Sequence, residues 1–307
     1  MDKPSEYPAP VAPVSNGGGA LWVVATPIGN LGDLSRRAAE ILRHVEWVAA
    51  EDTRRTGRLL EQYGLRARLL SLHEHNEASR IPRLLRLLAA GRDVALVSDA
   101  GTPLLSDPGA RLVAAAADAG ERVSPVPGPC SVTAALSVAG FGADRFVFDG
   151  FLPARDTARR SRLEALAEEP RTVAFFEAPH RIAACLRDLV EVCGGERPVV
   201  LARELTKVHE TVLRGSLEEV LRRVEVDGNQ QRGEIVVVLE GVPQRGAAVD
   251  ADSTLRALLL EGVAVKQAAR VAARLTGGRR NALYQRALEL AESQTGGAKS
   301  VDPKRKG

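Results

Sequence analysis

Short apolar runs alternate with helix-like segments from residue 21 to residue 240, and this alternation limits the chain to an α/β fold more sharply than any other feature. LWVVA (21–25) predicts the first strand, and Ser35 is suited to cap a helix running through about residue 43. VEWVAA (45–50), ARLLSL (67–72), DVALV (93–97) and RVSPV (122–126) predict further strands. Between them lie a helix from Arg58 to Tyr63 stopped by Gly64, a helix IPRLLRLLAAG with Pro82 in its first turn, and the helix ARLVAAAADAG ending at Gly120. The loop PGP leads into the helix SVTAALSVAG. The pattern is that of a mostly parallel sheet covered by helices.

A second set begins near Arg145. It comprises FVFDG, a charged helix (157–168), TVAFF, a helix from Ala178 to Val192, PVVLAR, a strand around Glu210 to Leu213, a helix from Ser216, and EIVVVLE (234–240). Two α/β domains are therefore expected, over 20–143 and 144–243. At 45% hydrophobic residues and only 4% aromatic, their cores must rest on Leu, Val and Ala.

The ends differ from the middle. Residues 1–19, rich in Pro, Ser and Gly, read as a disordered tail without the apolar centre of a signal peptide. VPQRGAAVDADS reads as a linker, and residues 250–293 as a small helical module of helix-turn-helix type, followed by a basic tail (294–307). Residues 251–307 carry 11 Lys/Arg against 5 Asp/Glu, whereas the whole chain is only +3, so positive charge is concentrated at this end. The cysteines, Cys130, Cys185 and Cys193, have no CxxC spacing, which argues against a disulfide framework or a zinc site and fits a reducing cytoplasm. No apolar run approaches the ~20 residues of a membrane span.

In open α/β sheets, ligands bind outside the carboxyl ends of strands. Four turn-rich loops leave such ends: ATPIGNLGD (25–33), AEDTR (50–54), SDAGTPLLSDPG (98–109) and PVPGPCS (125–131). None contains the lysine of a P-loop, and the first has Gly29 and Gly32 but not the GxGxxG of a dinucleotide fold. The loops offer Asp33, Asp52, Asp99 and Asp107 instead. Carboxylates repel a phosphate chain but suit ribose hydroxyls, an ammonium or a sulfonium. A positively charged nucleoside without phosphates fits, and S-adenosylmethionine has those properties.

The segments ATPIGNLGDLS, AAEDTRRTGRLL, HEHNE, LVSDAGTPLLSDPG, PGPCS, GFLPA, FFEAPHR, LARELTK and GEIVVVLEG occur in this order. Together they resemble the ribosomal RNA small subunit methyltransferase I family, within the tetrapyrrole methylase superfamily, from about residue 20 to residue 290. The resemblance implies two α/β domains with S-adenosylmethionine in the cleft between them, a homodimer, and 2′-O-methylation of a cytidine in the decoding region of 16S rRNA in the small ribosomal subunit. It points to Pro27 and Ile28 after the first strand, to Gly101, Thr102 and Pro103 with Leu105 or Ser106, to Cys130 and Ser131, and to Glu177 and Leu205 on the other wall as cofactor contacts, beside the loop's Asp99. Ser131 stands where a small residue, often alanine, is expected.

Ribose methylation requires the hydroxyl oxygen in line with the methyl group, and a general base can help. Asp52, Glu204 and Lys207 are candidates, Lys207 only if deprotonated. Arg54 and Arg203 are candidates for RNA phosphates, unless these charges form a structural ion-pair network. His73 and His75 would face opposite ways in a strand, so no metal site is expected. Lys266, Arg270 and Arg274, at i, i+4 spacing, with Arg279 and Arg280 in TGGRRN, form a basic face for rRNA. A methylase of the same superfamily acting on a small molecule or protein, and a non-catalytic RNA binder, are the rival readings.

Overall fold

The computed structural model describes residues 19–242 and 251–296, with side chains described through residue 291. Residues 1–18, 243–250 and 297–307, hence most of the expected tails and linker, lie outside the described residues. The chain divides into two compact units, one ending at Val242 and the other beginning at Pro243.

The first unit holds two five-stranded sheets. In the first, β1 (Ala20–Val24), β2 (Trp47–Ala50), β3 (Arg68–Ser71), β4 (Val94–Val97) and β5 (Arg122–Val126) run parallel in the order β3-β2-β4-β1-β5. The crossovers carry α1 (Arg36–His44), α2 (Thr53–Gln62), α3 (Glu77–Ala89) and α4 (Ala110–Asp118). Because successive strand side chains alternate, Trp22 and Val24 enter one core with Leu42, Val48 and Leu60. Leu21 enters the other, with Leu84, Leu88, Leu96 and Leu112. Both faces are covered, which is why these strands read as continuous apolar runs.

The second sheet is formed by β6 (Phe146–Phe151), β7 (Thr172–Glu177), β8 (Pro198–Arg203), β9 (Thr211–Ser216) and β10 (Ile235–Leu239), in the order β6-β7-β10-β8-β9. Unlike the first sheet, this one is mixed: only β6 and β7 are parallel, and β10 runs antiparallel to both neighbours. The connection from Arg203 to Thr211 is too short for a parallel crossover, so β8 and β9 pair antiparallel. Ile235, Val237 and Leu239 face one core with α6 (Asp156–Ala167), α7 (Ile182–Cys193) and α8 (Leu217–Val226). Val236 and Val238 face another, where α5 (Ser131–Ala139) lays Val132, Ala135 and Leu136. Helix α5 follows the first sheet in the chain yet covers the second.

Three helix starts differ from the sequence expectation; the helix expected from Ala178 begins only at Ile182, as α7. Helix α2 begins five residues earlier than Arg58, because the Asp52 carboxylate accepts from the Arg54 backbone N–H (2.8 Å) and caps it. Helix α3 begins at Glu77, so Pro82 lies inside it rather than in the first turn and removes one backbone hydrogen bond.

The second unit contains α9 (Ala251–Leu260), α10 (Val265–Thr276) and α11 (Arg280–Gly296). Leu255, Ala268, Ala269, Ala272, Leu283, Ala287 and Leu290 form its small core. Gly277, at φ +69°, ends α10 in the left-handed conformation that lets the chain turn into α11.

Candidate active site

Strands β2, β4, β1 and β5 are neighbours, so the four loops chosen from sequence open along one edge of the first sheet. The loops are tied to one another. Thr26 and Gly101 exchange backbone hydrogen bonds of 2.9 and 3.0 Å, and Thr102 Oγ1 donates to Pro129 O at 3.0 Å. Gly101 has φ +85°, and a Cβ there would come 3.2 Å from Ile28 Cγ2. Leu104, Ser106, Glu204 and Thr206 also hold positive φ without being glycine, in two loops of this region.

The opposite wall comes from the second sheet. β7 ends at Glu177 and β8 at Arg203, and Ile235, the first residue of β10, pairs with both. An antiparallel strand thus delivers its amino end, with Gly233 and Glu234, to the edge where its neighbours deliver their carboxyl ends.

Between the walls lies a cavity of about 410 Å³, within the usual range of small-molecule sites. Ile28, Asp99, Gly101, Thr102, Leu105, Ser106, Cys130, Ser131, Glu177 and Leu205 line it, as the sequence reading expects of cofactor contacts. Pro27 does not: it borders a neighbouring cavity, because the residues around Ile28 turn to the other side of the loop. Pro103 is buried and lines neither. Sequence reasoning missed Glu51, Arg55, Phe151, Phe176, Ala202, Gly233 and Glu234. Glu51 and its neighbour Asp52 were both visible in AEDTR, but Gly233 and Glu234 lie before a strand, where the carboxyl-end rule does not look.

The cavity is acidic. Arg55 is the one cation among its described lining residues, and its guanidinium pairs with Asp99 at 3.2 Å. Burial, then repulsion from Asp99, pushes the Glu51 carboxyl above its ordinary value. Burial and repulsion from Glu51 push Asp107 up to about 6. Glu177 is 2% exposed; its Oε1 accepts from Arg181 (2.5 Å) and from the Ala178 N–H (2.7 Å), while Oε2 is buried without a partner. Phe151 and Phe176 meet at 5.2 Å beside these carboxylates. A flat, cationic ligand with hydroxyl donors and no phosphates suits such walls. S-adenosylmethionine therefore fits the residues present.

The three base candidates lie outside the lining. Asp52 is committed to its cap, and hydrogen bonding from Arg54 holds its carboxyl down at about 2. Burial disfavours charge on Lys207, but hydrogen bonds to Glu204 (2.7 Å) and Glu234 (3.1 Å) outweigh it, so the ammonium titrates above its ordinary value. Burial likewise opposes charge on Glu204, and Lys207 and the Glu234 N–H reverse the balance, leaving its carboxyl lowered. Lys207 is held in its charged form, contrary to what a basic amine requires.

Arg203 departs from its expected role on RNA. It is 6% exposed, and its guanidinium donates to Thr211 Oγ1, Arg232 O and His209 O. Arg54 is exposed and forks onto Asp52. His73 and His75 lie in the loop after β3, where Asn76 Nδ2 donates to His73 Nε2 at 2.9 Å. Among the described residues no group of three or more His, Cys, Asp or Glu side chains is placed to hold a metal ion. In the second unit, Lys266, Arg270 and Arg274 are exposed on α10, away from buried Ala268, Ala269 and Ala272, and Arg279 and Arg280 are exposed at the start of α11. Among the described residues no helix is long and apolar enough to cross a membrane.

Residues 20–221 match the family described as Tetrapyrrole (Corrin/Porphyrin) Methylases, and residues 245–291 match the RsmI C-terminal HTH domain. The chain is 53% identical over 267 residues to the ribosomal RNA small subunit methyltransferase I of Xylella fastidiosa strain Temecula1, covering 87% of this chain and 98% of that protein. It is 53% identical over 275 residues to the protein of the same name from Pseudomonas aeruginosa, covering 88% and 97%. Among solved structures, the uroporphyrin-III-C-methyltransferase from Thermus thermophilus shares the fold with a TM-score of 0.53 at 22% identity, over 73% of this chain and 96% of that one. A cobalt precorrin-4 methyltransferase does so with a TM-score of 0.54 at 18% identity, over 72% and 94%.

Proposed function

The chain belongs to the ribosomal RNA small subunit methyltransferase I family of the tetrapyrrole methylases, and from that premise we propose how its residues carry out the reaction. The protein is an S-adenosylmethionine-dependent methyltransferase that modifies the 2′ hydroxyl of a cytidine in 16S rRNA. The observation that carries the reading is the pairing, in one chain, of an acidic cavity of tetrapyrrole methylase type with a separate unit bearing an exposed basic helix face.

S-adenosylmethionine in the 410 Å³ cavity supplies an electrophilic methyl group on a sulfonium. Glu51, Asp99 and Asp107 hold a cationic ligand by charge, Arg181 and the Ala178 N–H fix Glu177 at the end of β7, and Phe151 and Phe176 exclude water from one side. Ile28, Gly101, Thr102, Leu105, Ser106, Cys130, Ser131 and Leu205 complete the cradle. Lys207 stays protonated and fixes Glu204 and Glu234, so its part is to hold the wall. With Asp52 and Glu204 held as weak bases, the acceleration rests chiefly on placing the hydroxyl in line with the methyl, at ~3–3.5 Å. Lys266, Arg270, Arg274, Arg279 and Arg280 hold RNA phosphates. A cytoplasmic setting and a homodimer belong to the same proposal; Phe146, 39% exposed on edge strand β6, offers apolar surface to a second copy, and light scattering of the purified chain tests it.

Transfer of labelled methyl from S-adenosylmethionine into small ribosomal subunits from a strain lacking this gene tests the function. The expected result is label on one cytidine ribose of the decoding region. Binding of the cofactor with no label on RNA would favour a small-molecule or protein acceptor, and RNA binding without any transfer would favour a non-catalytic binder.

A further inference from the structure

Beside the cofactor cavity lies a second one of about 310 Å³, between the loop after β1 and helix α2. The two cavities share Arg55 and Asp99 as a common wall. Helix α2 buries Thr56 and Leu60, four residues apart, and so turns the stripe Arg55, Arg58, Leu59 and Gln62 toward the second cavity at i, i+3, i+4 and i+7. The facing loop contributes Pro27 and Leu31, the latter 41% exposed.

This loop is held open by three ties. Tyr63 Oη donates to Leu31 O, the Asn30 N–H donates to Thr206 Oγ1 at 3.1 Å, and Asn30 Oδ1 accepts from the Gly32 N–H at 2.9 Å. The cavity is therefore preformed, which lowers the ordering cost of binding. Its chemistry is unlike that of the acidic cavity. Arg58 has no ion-pair partner and the Gln62 amide no hydrogen-bond partner among the described residues, whereas the leucines and the proline make an apolar slot between them. An unpaired guanidinium, an apolar slot and a free amide on one helix face match the phosphate, the base face and the base edge of one nucleotide.

We propose that this second cavity receives the acceptor nucleotide of the RNA, an inference that rests on the RNA-methylation reading above. The base lies against Leu31 and Leu59 with its edge at Gln62, the flanking phosphate sits on Arg58, and the ribose faces the wall of Arg55 and Asp99 that opens on the cofactor side.

The test uses the full chain with labelled S-adenosylmethionine and small ribosomal subunits, comparing the parent with Arg58→Glu, Arg58→Lys and Gln62→Trp. Both positions are exposed, and thermal melting with cofactor calorimetry checks that the fold and the first cavity persist. Arg58→Glu is expected to raise KM for subunits at least tenfold, Arg58→Lys to recover most of that loss, and Gln62→Trp, which fills the slot, to cut kcat at least tenfold. All three should bind S-adenosylmethionine within twofold of the parent. Parental kinetics in both Arg58→Glu and Gln62→Trp would overturn the assignment, as would a loss of transfer that only tracks a loss of cofactor affinity. If the parent itself transfers no methyl to RNA, the RNA-methylation reading fails first and this inference falls with it.

Discussion

The Lys207 ammonium lies 2.7 Å from Glu204 Oε1 and 3.1 Å from Glu234 Oε2, clamping the loop after β8 to the residue that leads into β10. The clamp keeps the amine charged, because losing its proton would leave two carboxylates facing each other. The dependence of kcat on pH should therefore run parallel in the parent and in Lys207→Arg between pH 6.5 and 9.5. An alkaline rise in the parent that disappears in Lys207→Arg would restore Lys207 as the base.

Asp52 separates capping from catalysis. Asp52→Asn keeps an oxygen for the Arg54 N–H and is expected to retain most of the turnover, while Asp52→Ala should lower the melting temperature by uncapping α2. Loss of turnover in Asp52→Asn with an unchanged melting temperature would show that the carboxylate itself is needed.

Gly29 sits where no side chain fits. A Cβ there would lie 2.3 Å from Lys207 Cγ, in the middle of a side chain already fixed at its far end. Gly29→Ala should cost ~1–3 kcal/mol in urea unfolding and slow methyl transfer by displacing the clamp. Unaltered stability would mean that Lys207 moves freely.

Asp107 gives the protein a pH signature. Its folded carboxyl titrates at about 6, above the ordinary 3.8, so the folded state binds this proton more tightly than the unfolded chain. The penalty is absent at pH below the ordinary value, grows as pH rises toward 6, and persists above. Asp107→Asn should therefore raise the melting temperature at pH 8 and lose that gain near pH 4. For the parent, calorimetry should find weaker S-adenosylmethionine binding as pH falls through about 6, since the cavity then loses a negative charge. Affinity independent of pH would place the ligand's charge away from Asp107.

The helical unit should act on RNA alone. Arg270→Glu with Arg274→Glu is expected to weaken binding to small subunits and to reduce the salt dependence by about two units of slope. Cofactor affinity should not change. Equal weakening of both would assign α10 a structural role.

How much of this was legible follows from the range of each signal. Period-2 and period-3.6 patterns are local, so all five strands of the first sheet and their crossover helices could be read from apolar runs and turn residues. The four loops were legible for the same reason, since a strand end followed by Gly, Pro and Asp is a local event. The start of α2 was missed because AEDTR reads equally as a turn until its aspartate is seen to bond the Arg54 N–H.

Sequence by itself determined the α/β class, the motifs that mark the family, the acidic loop set and the basic end of the chain, each of them a property of residue order and composition. Only the tertiary structure decided which way β10 runs, and hence that Gly233 and Glu234 reach the cavity, because strand direction depends on pairing with β7 and β8 far away in the chain. It also decided that Arg203 is spent on backbone carbonyls, that Lys207 is held charged by two carboxylates, and that α5 covers the second sheet. In each case the partner lies beyond the reach of local pattern, and burial or charge between distant residues fixes the outcome.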